Sequence, residues 1–104
     1  FEKSRIAEDD WRHRSPYFQE PQLSLNMQLV EALRPIAARH TCAVGNIAVA
    51  WTLANPAVTA AIVGARNPVQ VEQNLAAMHV TLTRADLMEI QAALDVRSAA
   101  LNAN

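Results

Sequence analysis

The sequence predicts a mainly α chain with one short β-strand, on three observations. Apolar residues recur at helical spacing over most of the chain from Leu25 onward. A single run, Val58-Thr59-Ala60-Ala61-Ile62-Val63, is apolar and rich in β-branched residues, and Pro56 and Gly64 bound it as they would a strand buried on both faces. A content of 51% hydrophobic and 18% charged residues over 104 positions describes a globular core, not a disordered segment.

Residues 1–21, FEKSRIAEDDWRHRSPYFQEP, mix charges and aromatics without a period and read as a loop. Lys3, Arg5, Arg12 and Arg14 alternate there with Glu2, Glu8, Asp9 and Asp10, so solvated surface pairing is the plain expectation. Ser24 is the expected cap of a helix running to about His40, with Leu25, Leu29, Leu33, Ile36 and Ala37 on its buried stripe. Pro35 removes an N–H inside that helix and predicts a bend near Leu33. His40-Thr41-Cys42-Ala43 is a short break.

A second helix is expected from about Val44 to Ala54, stopped by Asn55-Pro56. Ala43 stands where a hydroxyl cap would serve, so its start is expected to fray. The helix carries no charge, and Trp51 among Ile47, Val49 and Leu53 reads as a core residue. Two helices joined by a short turn also invite a DNA-reading interpretation, but this second helix offers a groove no more than Asn46 and Thr52, and that reading is set aside.

After the strand comes a tight turn, Gly64-Ala65-Arg66, and then a third helix: Asn67 can accept from its first amides, and Pro68 sits where a missing N–H costs nothing. Val71, Leu75 and Met78 form its expected packed face, and it should end near Met78. His79 to Leu82 is an extended linker. Thr83 with Asp86 three residues on is a capping box with a shortened acid, opening a last helix to about Asp95 that buries Leu87, Ile90 and Leu94. The tail from Val96 to Asn104 has little to anchor it and should fray.

The polar residues of the third helix are spaced as ligand contacts. Gln70, Gln73 and Asn74 lie three and four apart on one face, and Arg66 precedes them in the loop. A helix N-terminus presents free N–H groups and partial positive charge, so with an arginine beside it the place suits a phosphate, and three amides suit a heteroaromatic base. Exposed amides and an arginine are also common on helices that bind nothing, so the spacing alone does not decide.

The order of the segment adds a resemblance. Ala48-Val49-Ala50-Trp51-Thr52-Leu53-Ala54-Asn55-Pro56, then Ala61-Ile62-Val63-Gly64-Ala65-Arg66, then Gln70 and Gln73-Asn74, resembles the C-terminal part of the aldo-keto reductases, in the branch related to potassium-channel β subunits and bacterial general-stress reductases. The resemblance covers about Asp10 to about Val96 and is most specific from Ala50 to Asn74. It implies the C-terminal portion of a (β/α)8 TIM barrel, incomplete as given: a loop at 1–21, the last barrel units at 22–82, and a C-terminal helix and tail at 83–104. Val58–Val63 would be the eighth strand. It further implies NADP(H), with Gly64 letting the backbone approach, Arg66 facing the adenosine 2′-phosphate, and Gln70, Gln73 and Asn74 contacting adenine. Arg12, in the loop that follows the seventh strand in such proteins, would help hold the phosphates.

The chemistry of carbonyl reduction in that family rests on a tyrosine, a lysine, an aspartate and a histidine that precede the matched region, so no catalytic residue is assigned here. Tyr17, His13, His40 and His79 match none of them, and no metal-ligand spacing occurs. Phe1 falls just after the expected seventh strand, with no signal-peptide pattern, so the chain is expected to be a fragment of a cytoplasmic NADPH-dependent oxidoreductase acting on a small carbonyl substrate, itself inactive. The alternative is a non-catalytic helical interaction module. A net charge of −1 speaks against nucleic acid held by bulk charge, no run reaches the roughly 20 apolar residues of a membrane span, and Cys42, the one cysteine, is a small packing residue. One strand without neighbours cannot close a barrel, so the fragment is expected to repack its helices or to form a homo-oligomer.

Overall fold

The computed structural model describes residues 1–103. Four α-helices follow an N-terminal segment of short 3-10 turns: α1 (Gln22–Arg39), α2 (Val44–Leu53), α3 (Pro68–Ala76), which continues into a 3-10 turn at Ala77–His79, and α4 (Arg84–Asn102). α1 packs on both α2 and α4. Their shared core is Leu33, Ile36 and Ala37 of α1, Ile47 of α2 and Ile90 of α4, with Cys42, Val44, Val80, Leu82 and Leu94 around it.

Helix ends are set by groups other than those a residue-by-residue reading picks out. α1 begins two residues before Ser24: Glu20 takes the capping role, its carboxylate accepting from the Ser24 N–H and hydroxyl. The helix runs on through Pro35 without interruption. It closes in a Schellman turn, in which Thr41 N–H donates to Ala38 C=O and Cys42 N–H to Ala37 C=O. Thr41 occupies the left-handed position there (φ 52°), a strained place for a β-branched residue. At the start of α2, Asn46 reaches back to accept from the Ala43 N–H (3.1 Å), so the uncapped position expected to fray holds a side-chain bond. Thr83 and Asp86 form the reciprocal capping box of α4 as expected.

Four expectations are corrected. Val58–Val63 has no regular secondary structure, and no strand occurs among the described residues. The reason is pairing: a strand must give its N–H and C=O groups to a neighbour, and this chain supplies a single candidate. Trp51 is exposed, as are Val71, Leu75 and Met78, and α3 buries none of its residues. Their apolar faces look onto open grooves because no element of the described chain covers them. The tail does not fray at Val96: α4 continues to Asn102, held where Arg97 donates to the Asn26 side chain of α1 (2.6 Å). Asn104 lies outside the described residues. The loop at 1–21 contains the 3-10 turns Lys3–Arg5, Trp11–His13 and Pro16–Phe18, stapled by Phe18 against Phe1 and Trp11.

The accessible surface is 7612 Å², against about 5,800 Å² expected for a self-contained monomer of 11.4 kDa. The radius of gyration, 14.9 Å, likewise exceeds the ~13 Å of a compact chain this long. Helices α1, α2 and α4 share a core, while α3 and the segment before it lie on its edge. No helix among the described residues is long and apolar enough to cross a membrane.

Candidate functional site

The site is built on the bend that leads into α3. Asn67 caps the helix, its side-chain oxygen accepting from the Gln70 N–H at 2.9 Å, and Pro68 fills the first helical position. The Val71 N–H goes to the Asn67 carbonyl. Proline has no N–H, so little of the first turn's donor capacity is left for an anion, and positive charge must come from a side chain. Arg66 supplies it. Its guanidinium is exposed and has no ion pair or side-chain hydrogen bond among the described residues, in contrast to Arg12, Arg34 and Arg39.

The structure brings four of the five expected site residues together and gives two of them a role the spacing does not show. Gln70 Oε1 accepts from the Arg66 N–H at 2.6 Å, and Asn74 Nδ2 donates to the Gly64 carbonyl at 3.0 Å. Both amides therefore clamp the loop from Gly64 to Arg66 onto the helix. Gln73 is exposed, and its side chain makes no hydrogen bond among the described residues. A Cβ placed on Gly64 would meet nothing within 4 Å, so the backbone there is open to approach by a ligand.

These residues fit a phosphorylated adenosine in part: a free guanidinium for a phosphate, open backbone at Gly64, and an unengaged amide on Gln73. Beside them runs a groove of about 280 Å³ lined by Val63, Ala65, Val71, Asn74, Leu75 and Met78, almost wholly apolar. A larger cleft, about 510 Å³, lies elsewhere, against Trp51, Asn55, Pro56, Leu87 and Gln91. Its polar groups are engaged internally: Thr52 donates to Ala48 C=O, Asn55 accepts from Ala57 N–H, and Gln91 donates to Asp95.

Arg12 is engaged within its own segment. Its Nε and Nη2 donate to the two oxygens of Asp10 at 2.9 and 2.8 Å, and its N–H donates there as well. The side-chain bonds to Arg12 hold the Asp10 carboxyl well below the usual carboxylate range. Surface pairing, the plain expectation for that segment, holds for Arg12 with Asp10 and Arg5 with Glu2, while Lys3 donates to the Gln19 side chain instead. Among the described residues no group of three or more His, Cys, Asp or Glu is placed to hold a metal ion.

The long-range partners of two polar residues escaped the sequence reading. Asn46, considered there as a groove-facing residue, is buried and donates from Nδ2 to the Gln73 carbonyl of α3. Asp86 is buried as well and receives Arg39 Nη2 at 2.8 Å and His40 Nε2 at 2.7 Å besides its capping bonds. The Ala43–Asn46 and Thr83–Asp86 spacings mark both as capping positions; the partners 27 and 46 residues away are visible in three dimensions alone.

A family model described as the aldo/keto reductase family matches residues 2–95. The chain is 31% identical over 75 residues to the NADH-specific methylglyoxal reductase of Escherichia coli (strain K12), which covers 72% of this chain and 23% of the relative. It is 31% identical over 90 residues to the aldo-keto reductase yakc of Schizosaccharomyces pombe, whose name specifies NADP(+), covering 86% and 26%. To an aldo-keto reductase of Gibberella moniliformis it is 24% identical over 91 residues, covering 88% and 27%. The chain thus spans about a quarter of the length of these relatives. No solved structure matches it significantly.

Proposed function

The chain belongs to the aldo/keto reductase family, and on that premise we propose that it is the C-terminal part of an NADPH-dependent reductase of aldehydes or ketones, carrying the side of the cofactor site that holds the adenosine 2′-phosphate. The observation that carries this reading is the unpaired Arg66 guanidinium, set beside an Asn67-capped helix by a loop that Gln70 and Asn74 brace. A planar cation in a braced loop is suited to a phosphate monoester, because its fork matches two phosphate oxygens. NADPH, when bound, supplies hydride; the residues of this chain bind and orient its far end. Gln73 would meet the adenine, and Gly64 would let the backbone come close.

The surface left open supports a place within a larger fold. In a (β/α)8 barrel Val58–Val63 would pair on both edges and the exposed faces of Trp51, Val71, Leu75 and Met78 would be covered, which accounts for the roughly 1,800 Å² of surface beyond that of a self-contained monomer.

The names of the relatives divide between NADH and NADP(+), so the choice of cofactor rests on Arg66. Arg66→Ala is expected to weaken NADP+ binding about tenfold or more while leaving NAD+ binding within about twofold. Titration of both nucleotides by calorimetry checks this, and an equal loss for the two, or none, sinks the 2′-phosphate assignment. The chain by itself is expected to give no carbonyl-dependent NADPH oxidation, since none of its residues matches the catalytic tyrosine or its partners. Turnover above the protein-free rate with methylglyoxal or a simple aldehyde would contradict that.

A further inference from the structure

We infer that Asn46 is the positioning residue of the α3 site, an inference that rests on the cofactor reading above. α3 has no buried residue, so packing alone holds it loosely. Three of its side-chain bonds, from Asn67, Gln70 and Asn74, stay within its own loop. Among the described residues, the bond from Asn46 Nδ2 to the Gln73 carbonyl, 2.5 Å, is the one side-chain hydrogen bond that ties α3 to another helix.

The geometry at both ends explains why an amide stands there. At the end of α3 the helix tightens into a 3-10 turn, and the Ala77 N–H turns to the Asn74 carbonyl, leaving the Gln73 carbonyl without the partner four residues on. Asn46 Nδ2 fills that vacancy while its Oδ1 accepts from the Ala43 N–H. One buried side chain thus caps the start of α2 and the end of α3 at once, and it needs a donor and an acceptor on adjacent atoms. Through α3 it sets where Gln73 and the Arg66 loop stand relative to the α1–α2–α4 core.

Asn46→Asp separates the two bonds: the carboxylate keeps the acceptor for Ala43 N–H, next to a helix N-terminus that favours it, and loses the donor to Gln73. Amide hydrogen exchange of the full chain, read helix by helix without nucleotide, is expected to show protection in α3 falling about tenfold while that of the α1 and α4 core amides holds within about twofold. In parallel, the affinity for adenosine 2′,5′-bisphosphate is expected to fall about tenfold. Should the aspartate variant lose its overall helicity, Asn46→Ala, which adds no buried charge, takes the same two readings. Unchanged α3 protection, loss spread equally over all helices, or α3 loosened with the bisphosphate affinity intact each overturns the inference. Wild-type chain that fails to bind the bisphosphate while α3 still loosens selectively overturns the cofactor reading and upholds the tie.

Discussion

Ile47→Ala is expected to cost about 3 kcal/mol of stability, within the 2–5 kcal/mol range for emptying a fully buried branched site. Ile47 is 0% exposed, as is Ile36 opposite it, and the two anchor the one cluster at which α1, α2 and α4 meet. The core is small, so a cavity there has few neighbours able to collapse into it. Against a total stability on the order of 5–15 kcal/mol, that loss is a large share. A thermal melt followed by helix circular dichroism should move down by more than about 10 °C, given roughly 4–8 °C per kcal/mol for domains near this size. Ile62→Ala is the internal control: the same residue type stands 101% exposed in the unstructured segment, and its removal is expected to stay within about 0.5 kcal/mol. Equal shifts for the two variants would mean that the core has been located wrongly.

Asp86→Ala is expected to cost about 2–3 kcal/mol by a different mechanism, the loss of a capping box together with stranded hydrogen-bond donors. The Asp86 carboxylate is buried and receives Arg39, His40 and the Thr83 N–H, so it fastens the C-terminal end of α1 to the N-terminal end of α4. The neighbouring Arg39–Glu89 pair is half exposed and adds little by itself. Hydrogen bonds from Arg39, then from His40 and Thr83, hold the Asp86 carboxyl well below its ordinary value, despite its burial. A carboxyl with a depressed folded-state pKa stabilises the fold above its unfolded pKa of about 3.9, and that contribution is lost as pH falls further toward the folded value. Wild type and Asp86→Asn should therefore differ most near neutrality and converge below about pH 4. Asp10 shifts in the same direction, so the difference between the two proteins, not the wild-type acid melt alone, isolates Asp86. A difference that stays constant from pH 7 to pH 3 would rule out the charged form as the source.

Much of the candidate site was legible before any coordinates because it is local. Asn67, Pro68, Gln70 and Asn74 act within one loop and one helical turn or two, and capping and turn preferences operate over those distances. What Gln70 and Asn74 bond to was not legible, since an amide at a given helical position serves a ligand or its own loop with equal ease. Asn46 was missed for a related reason. Its capping distance to Ala43 is readable, but its second bond crosses 27 residues to a backbone carbonyl, which leaves no mark in residue type.

The sequence by itself determined the four helices, the break at His40–Ala43, the Thr83–Asp86 box and the family, because helical periodicity, caps and a contiguous motif are all written within short spans of chain. Tertiary structure decided the rest. It left Val58–Val63 unpaired, because a strand's hydrogen bonds belong to its neighbours and none is available. It exposed Trp51, Val71, Leu75 and Met78, because an apolar stripe marks a face that can be buried while burial itself requires something to lie against it. It carried α4 seven residues past the expected end at Asp95, because Arg97 meets Asn26 across the α1–α4 interface. Local preference names the elements; the partners each element finds decide which of its faces are covered and where it stops.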